Sequence, residues 1–320
     1  MENNDFQEKA VEPAPAGKSL AVDPMKKMKP VIIVASVIAG VALVGATTWV
    51  VVDNLNKKSL SSSSSSTSSS SAESNSSSSD VKTTSDGDQK ITKGGSYTFS
   101  GVISGRIVVD TSEEVTITLK NATLDCASEQ AAIKSKGTGK VTLVLEGENK
   151  IISKGDGVNV EGDLEVKGDG SLTISSADDG IHADKKLTVT SGIYSITAAE
   201  GLEATYVLIN GGTITISASD DGINAAQKVN DYTPTVEING GTITITMGQG
   251  DTDGIDSNGN IYINGGTVSI TGQSTVDYDG EAKLNGGKLI INGTETTTIP
   301  NQMMGPGGGG QAPGQRQMMR

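Results

Sequence analysis

One short phrase, an acid followed by glycine, an aliphatic residue and a polar residue, returns about every 21 residues along the second half of the chain. It reads Asp156-Gly157-Val158-Asn159, Asp179-Gly180-Ile181-His182, Glu200-Gly201-Leu202-Glu203, Asp221-Gly222-Ile223-Asn224 and Asp253-Gly254-Ile255-Asp256. Between the copies lie Thr/Ile runs and Asn-Gly-Gly turns at 210–212, 239–241, 264–266 and 285–287. A repeat of this size, made of strands and glycine turns with no helix inside it, constrains the chain to an all-β fold, a parallel β-helix (solenoid) in which each repeat is one coil. A hairpin-rich sandwich is the alternative, but hairpins do not explain one phrase held in one register.

The runs Thr213–Ser219, Thr242–Thr246, Thr267–Thr271 and Leu172–Ser176 alternate apolar and polar residues, the period of a strand with one buried face. Asn-Gly-Gly supplies residues that tolerate positive φ at a corner. With 2 Phe and 1 Trp in the chain, the core is expected to be stacked Ile, Val and Leu. In each phrase the aliphatic residue is expected to point inward and the flanking polar residues outward. The amino end, with 117–122 and 141–147, reads as degenerate coils, as solenoid ends commonly do.

The 320 residues divide by composition. Residues 1–30 carry Pro13, Pro15 and Pro24 and no apolar periodicity, and read as a disordered cytoplasmic tail. Val31 to Val52 contains no charged residue and is long enough to cross a bilayer as one transmembrane helix at about 1.5 Å per residue. Lys26, Lys27 and Lys29 before it favour a cytoplasmic amino terminus, with the solenoid outside the cell. A cleaved signal peptide ending near Val44-Gly45-Ala46 is the competing reading, and it gives a secreted protein. Residues 53–88 form a Ser-rich linker, 89–300 the β-helix, and 301–320 a disordered Gly/Pro/Met tail. Nothing in the sequence sets an oligomeric state.

The net charge of −13 and the scattered basic residues of the repeat region argue against a nucleic-acid partner, which needs a basic stripe. The only cysteine, Cys126, sits among Leu124, Ala131, Ala132 and Ile133 and reads as a buried apolar filler.

Alignment on the inward aliphatic residue produces polar columns. The residue after it is Asn159, His182, Glu203, Asn224, Asp256 and Asp277. Two before it lie Asp156, Asp179, Glu200, Asp221, Asp253 and then Ser274. Three after it lie Glu161, Asp184, Thr205, Ala226, Asn258 and Asp279, with extra acids at Asp178, Asp220 and Asp251. Asp-Gly is also a common turn former, and any single copy reads as no more than that. Carboxylates stacked about 5 Å apart repel unless neutralised, and Ca2+ is the natural counter-ion outside a cell. The expected ligands are Asp156, Asp179, Asp184, Glu200, Glu203, Asp221, Asn224, Asp253, Asp256, Asp277 and Asp279. His182 is expected to be an exposed member of the column rather than a catalytic base.

The phrases Asp-Asp-Gly-Ile-Asn-Ala (220–225) and Thr-Asp-Gly-Ile-Asp-Ser-Asn-Gly (252–259), the repeated Ile-Asn-Gly-Gly-Thr and the closing Val-Asp-Tyr-Asp-Gly (276–280) resemble one family. It is the carbohydrate-binding β-helix family of bacterial cell-surface proteins, structural relatives of pectate lyases. The resemblance covers roughly residues 90–300 and is strongest over 175–295. It implies a right-handed parallel β-helix, bound calcium, and affinity for plant cell-wall polysaccharides including acidic sugars. The segment Gln227 to Thr235 departs from the pattern as an insert between two repeats.

Three functions follow as expectations: a surface-anchored calcium-dependent polysaccharide-binding module, a polysaccharide lyase, or a structural and adhesive rod. A lyase needs a base beside its cation, and Lys185, Lys186, Lys228 and Lys283 are the candidates. The tyrosines available to stack on sugars are few: Tyr194, Tyr206, Tyr232, Tyr262 and Tyr278. That favours a carboxylate-calcium contact over an aromatic platform.

Overall fold

The structure, a computed structural model, describes residues 80–250 and 252–302. The expected membrane span at 31–52, the expected tail at 1–30 and residues 303–320 of the expected tail at 301–320 lie outside the described residues, whereas Asn301 and Gln302 bond to the last coil. Among the described residues no helix is long and apolar enough to cross a membrane. The expected coil is there: about 9 turns of an all-β parallel solenoid.

Each full coil contributes one strand to each of three stacked faces. The first face carries the repeated phrase. It stacks Gln89–Ile91, Ile107–Val109, Ile133–Ser135, Val158–Val160, the start of Ile181–Val189, the start of Leu202–Ile209, Ile223–Ala225, Ile255–Ser257 and Val276–Tyr278, all parallel. The second face runs through Val141–Glu146, Leu164–Gly168, the ends of Ile181–Val189 and Leu202–Ile209, Thr235–Ile238, Asn260–Ile263 and Ala282–Leu284. The third runs through Glu148–Ser153, Ser171–Ser175, Ile193–Ala198, Thr213–Ala218, Thr242–Met247, Thr267–Thr271 and Lys288–Ile291. A register shift between Ala183 and Lys186 turns one strand from the first face onto the second.

Inward residues stack into aliphatic ladders. Ile107, Ile133, Val158, Ile181, Leu202, Ile223, Ile255 and Val276 are partners in succession and all fully buried. Ile151, Ile174, Ile196, Ile216, Ile245 and Ile270 do the same on the third face. Each such side chain contributes roughly 1.5–3 kcal/mol of burial. Phe99 and Tyr194 join this core, so Tyr194 is not a sugar-stacking residue as expected from the sequence. Cys126 is buried.

The glycines of the phrase answer to space. A Cβ on Gly157, Gly180, Gly201 or Gly222 would lie 2.4–2.6 Å from the carbonyl oxygen of the next coil's glycine. It would also press on a third-face isoleucine, Ile174, Ile196, Ile216 or Ile245. In Asn-Gly-Gly the second glycine carries the left-handed backbone, with φ of +100° at Gly212 and +95° at Gly241. The asparagines of these corners form a ladder, Asn239 donating to Asn210 at 3.0 Å, Asn264 to Asn239 at 2.8 Å and Asn285 to Asn264 at 2.7 Å.

Two details differ from the sequence reading. A strand at Asp80–Asp86 pairs with the segment from Tyr97 to Ser104, so the solenoid begins ahead of residue 89. The final strand, Thr294–Thr296, turns back antiparallel onto Lys288–Ile291.

Candidate functional site

The first face brings the predicted columns into true register. Asn159, His182, Glu203, Asn224, Asp256 and Asp277 are successive partners, and Lys134 extends the column toward the amino end. The corner column is built by backbone bonds, since the amides of Gly157, Gly180, Gly201 and Gly222 donate to the carbonyls of Asp179, Glu200, Asp221 and Asp253. Asp184 lies at the register shift within Ile181–Val189, and Asp279 directly follows Val276–Tyr278. Asp251 lies outside the described residues.

The column is not uniformly solvated. Glu203 is 4% exposed, and His182, Asn224 and Asp179 are buried beside it. This corrects the expectation that these residues simply point out to solvent. His182 is the clearest case: its Nδ1 contacts Asp179 at 2.9 Å and also Glu203, and its Nε2 contacts Asp184 at 2.9 Å. With carboxylates at both ring nitrogens, the ring is an imidazolium whose Nδ1–H is shared between Asp179 and Glu203 and whose Nε2–H donates to Asp184. Burial opposes that charge, but Asp179, Glu203 and Asp184 outweigh it and push His182 up to about 10.

The insert adds a second cation. Lys228 Nζ lies 2.5 Å from Glu203 Oε1, so both oxygens of Glu203 face a positive charge. Burial would raise Glu203, yet His182 and Lys228 hold it down to about 2. Toward the amino end, Lys134 donates to Asn159 Oδ1 at 2.8 Å and pairs with Glu161 at 3.4 Å. Asn159 donates in turn to Asp156 Oδ2 at 2.6 Å. From Lys134 to Glu203, the protein sets its own cations, Lys134, His182 and Lys228, among the acids.

Beyond Glu203 this compensation stops. Among the described residues no lysine, arginine or histidine pairs with Glu200, Asp221, Asp256 or Asp277. Burial, then the charges of Glu203 and Asp179, push Glu200 up to about 8. Burial, then Asp221, Asp253 and Asp277, push Asp256 up to about 7. Asp221 is pushed up to about 6, chiefly by burial. Two buried oxygens in this stretch, Asn224 Oδ1 and Thr252 Oγ1, have no hydrogen-bond partner. Asn224 spends its amide nitrogen on Glu200, at 3.0 Å. Asp221 accepts from the Asp253 amide at 2.9 Å, and Ser274 donates to Asp253.

This carboxyl-terminal half fits a hard cation. It offers carboxylates, an amide oxygen and a hydroxyl, the donor set of calcium, and it contains buried oxygens that nothing in the protein satisfies. The amino-terminal half fits one poorly, because organic cations already stand among its acids. The tightest groups of candidate ligands nevertheless fall there: Asp179, His182 and Glu203, and Asp156, Asp178 and Asp179, each within 4.8 Å. In the first of these the histidine is itself the counter-ion; the second shares Asp179 with it but has no cation of its own at Asp156 or Asp178, and burial, then Asp156, raise Asp178.

Three of the four candidate bases, Lys185, Lys228 and Lys283, are held as cations by carboxylates. Lys185 pairs with Asp231 at 2.7 Å, Lys283 with Glu281 at 2.7 Å and Lys228 with Glu203. The Asp231 bond raises Lys185 and the Glu281 bond raises Lys283, while Glu203 raises Lys228 against its burial. Lys186 sits 4.7 Å from the centre of the Tyr206 ring. The sequence missed both the role of His182 and the asparagine ladder. The signal for the first was a lone cationic residue type at a column position otherwise filled by Asn, Glu and Asp.

A family model described as carbohydrate-binding domain-containing protein matches residues 85–303, all but the first residues of the solenoid. The chain belongs to that family. The polysaccharide lyase-like protein from C. thermocellum, solved as a gadolinium derivative, is similar at 29% identity with a TM-score of 0.54. The match covers 64% of this chain and 87% of that one. No curated protein matches the chain. Family membership agrees with the sequence resemblance and makes the polar face of the solenoid the place to look for sugar contacts.

Proposed function

We propose that this chain is a membrane-anchored, extracellular module that binds polysaccharide through calcium, with acidic or plant cell-wall glycans as ligands. The observation that carries the reading is the uncompensated half of the column, where Glu200, Asp221 and Asp256 are half-buried without cations beside the orphaned, buried Asn224 Oδ1. Asp221, Asn224, Asp253, Asp256 and Asp277 would hold the ion, with Glu200 at its edge. Bound there, calcium supplies a local positive charge and coordination positions open to a sugar carboxylate. The protein's own residues set the place: the glycine corners fix the spacing of the acids, and His182 and Lys228 hold the neighbouring stretch in a closed network. Without the ion, a chain of net charge −13 repels a uronate polymer. The Val31 to Val52 segment supplies the anchor. A right-handed coil is the sense that parallel crossovers adopt.

Binding without cleavage is favoured over lyase chemistry by the pairing of Lys185, Lys228 and Lys283, since a raised lysine is a poor proton acceptor. Retention of the full chain on immobilised polygalacturonate tests the proposal. Calcium-dependent retention, lost in excess chelator and weakened by Asp256→Asn, is the expected result. Retention that persists in chelator counts against the calcium reading. Growth of unsaturated-uronate absorbance counts against the non-enzyme reading.

A further inference from the structure

The second face carries a groove of about 350 Å³ that the calcium column does not use. That volume lies within the range of small-ligand sites, roughly 300–1,000 Å³. Its walls are Asp163, Lys186, Thr188, Thr190, Asn210 and the Lys140–Glu165 ion pair, which closes at 2.6 Å. Leu164 and Leu187 are strand partners, so Asp163 and Lys186, one residue earlier on each strand, stand on adjacent coils.

These two charged side chains do not pair with each other. Asp163 meets the Tyr232 hydroxyl, yet one of its carboxylate oxygens, Oδ1, is buried with no hydrogen-bond partner. Lys186 has no carboxylate partner among the described residues; its ammonium is drawn over the Tyr206 ring. Tyr206 is steadied by an edge contact from Tyr232 of the insert, with centroids 5.9 Å apart. The groove is therefore lined by a carboxylate with one unsatisfied oxygen beneath its surface, an ammonium donor, two threonine hydroxyls and an amide. Its formal charges cancel, with Lys140 and Lys186 against Asp163 and Glu165.

We infer that this groove binds a neutral pyranose unit of a polysaccharide, and does so without calcium. A sugar hydroxyl is at once donor and acceptor. Neighbouring hydroxyls on one ring can donate to the Asp163 carboxylate and accept from Lys186, while Thr188, Thr190 and Asn210 meet the rest. A free anion gains little where positive and negative charges balance and two carboxylates, Asp163 and Glu165, stand in the wall. The inference rests on the family's carbohydrate binding but not on the calcium reading above.

The test uses the full chain and beads carrying β-glucan, xylan, mannan, galactan or polygalacturonate, all in excess chelator. At least one neutral polymer should retain the chain. Lys186→Met and Thr188→Val should each weaken that retention, the former by about tenfold, as loss of a charged hydrogen bond implies. Circular dichroism melts identify a variant that fails to fold, and the other then decides. Absence of retention on every neutral polymer overturns the inference, as does retention that both folded variants leave unchanged. Retention on polygalacturonate alone, lost in Lys186→Met, overturns the neutral-sugar class in favour of an anion site. Calcium-dependent retention on polygalacturonate should survive both substitutions, so failure of the column reading and failure of this one are distinguishable.

Discussion

Lys228 Nζ lies 2.5 Å from Glu203 Oε1, a bond between the insert and a coil that precedes it. The insert is the longest interruption of the repeat, separating Asp221 from Asp253 by 32 positions. Its residues Lys228, Asp231 and Tyr232 return to Glu203, Lys185 and Tyr206. The loop thus furnishes a charge that the neighbouring coil lacks.

Lys228→Met should leave Glu203 buried with only His182 as counter-charge. Stability in chelator should fall by about 1–3 kcal/mol, read as a lower urea midpoint with an unchanged slope. A variant as stable as the parent would show that the bond is a surface contact of no consequence.

His182→Ala removes the cation from among Asp179, Asp184 and Glu203. Breaking a buried charge network by deleting one partner typically costs about 3–5 kcal/mol, and that loss is expected at neutral pH. A change under about 1 kcal/mol would mean that the three acids are already compensated by other means.

Gly222→Ala tests the corner packing. The new methyl would meet the Gly254 carbonyl oxygen at 2.5 Å and Ile245 Cγ2 at 2.5 Å. Neither can move without shifting a coil, so a loss of roughly 1–3 kcal/mol is expected in thermal melts. An unchanged melt would refute the reading that space, rather than turn chemistry, requires this glycine.

The uncompensated acids set a pH dependence. Glu200, Asp256 and Asp221 have folded values of about 8, 7 and 6, all raised above the ordinary carboxylate range. The folded protein therefore binds more protons than the unfolded chain, and stability from these groups is full below about pH 4 and lost as pH rises toward about 8. Chelator-stripped protein should melt lower at about pH 8.5 than at about pH 5, and millimolar calcium should remove most of the difference. A flat profile in chelator would sink the assignment.

Much of this architecture was legible because a solenoid makes its register visible in the sequence. The alternation in Thr213–Ala218 and Thr242–Met247 has only one apolar face to bury. The 21-residue step from Asp256 to Asp277 predicts a pairing that the strands make. Burial of the column was not legible. His182 occupies a position where its neighbours are Asn159 and Glu203, and spacing alone does not reveal that Asp179 and Asp184 close on it from either side. Nor does sequence distance show that an insert will fold back onto an earlier coil. Tyr194 was misread for a simpler reason: it alternates with Ile193 and Ser195, and its inward partner is Leu172. Its hydroxyl still reaches polar company, donating to the Ser191 carbonyl.

The backward turn of Thr294–Thr296 has a consequence for the molecule's life in company. Parallel strands stacked in register are the arrangement from which cross-β fibrils grow, and a blunt coil end is a template for the next copy. Here the third face ends on a short strand of opposite direction, so an incoming chain meets the wrong hydrogen-bond pattern at that edge. A repeat that would otherwise seed its own polymer is given a terminus.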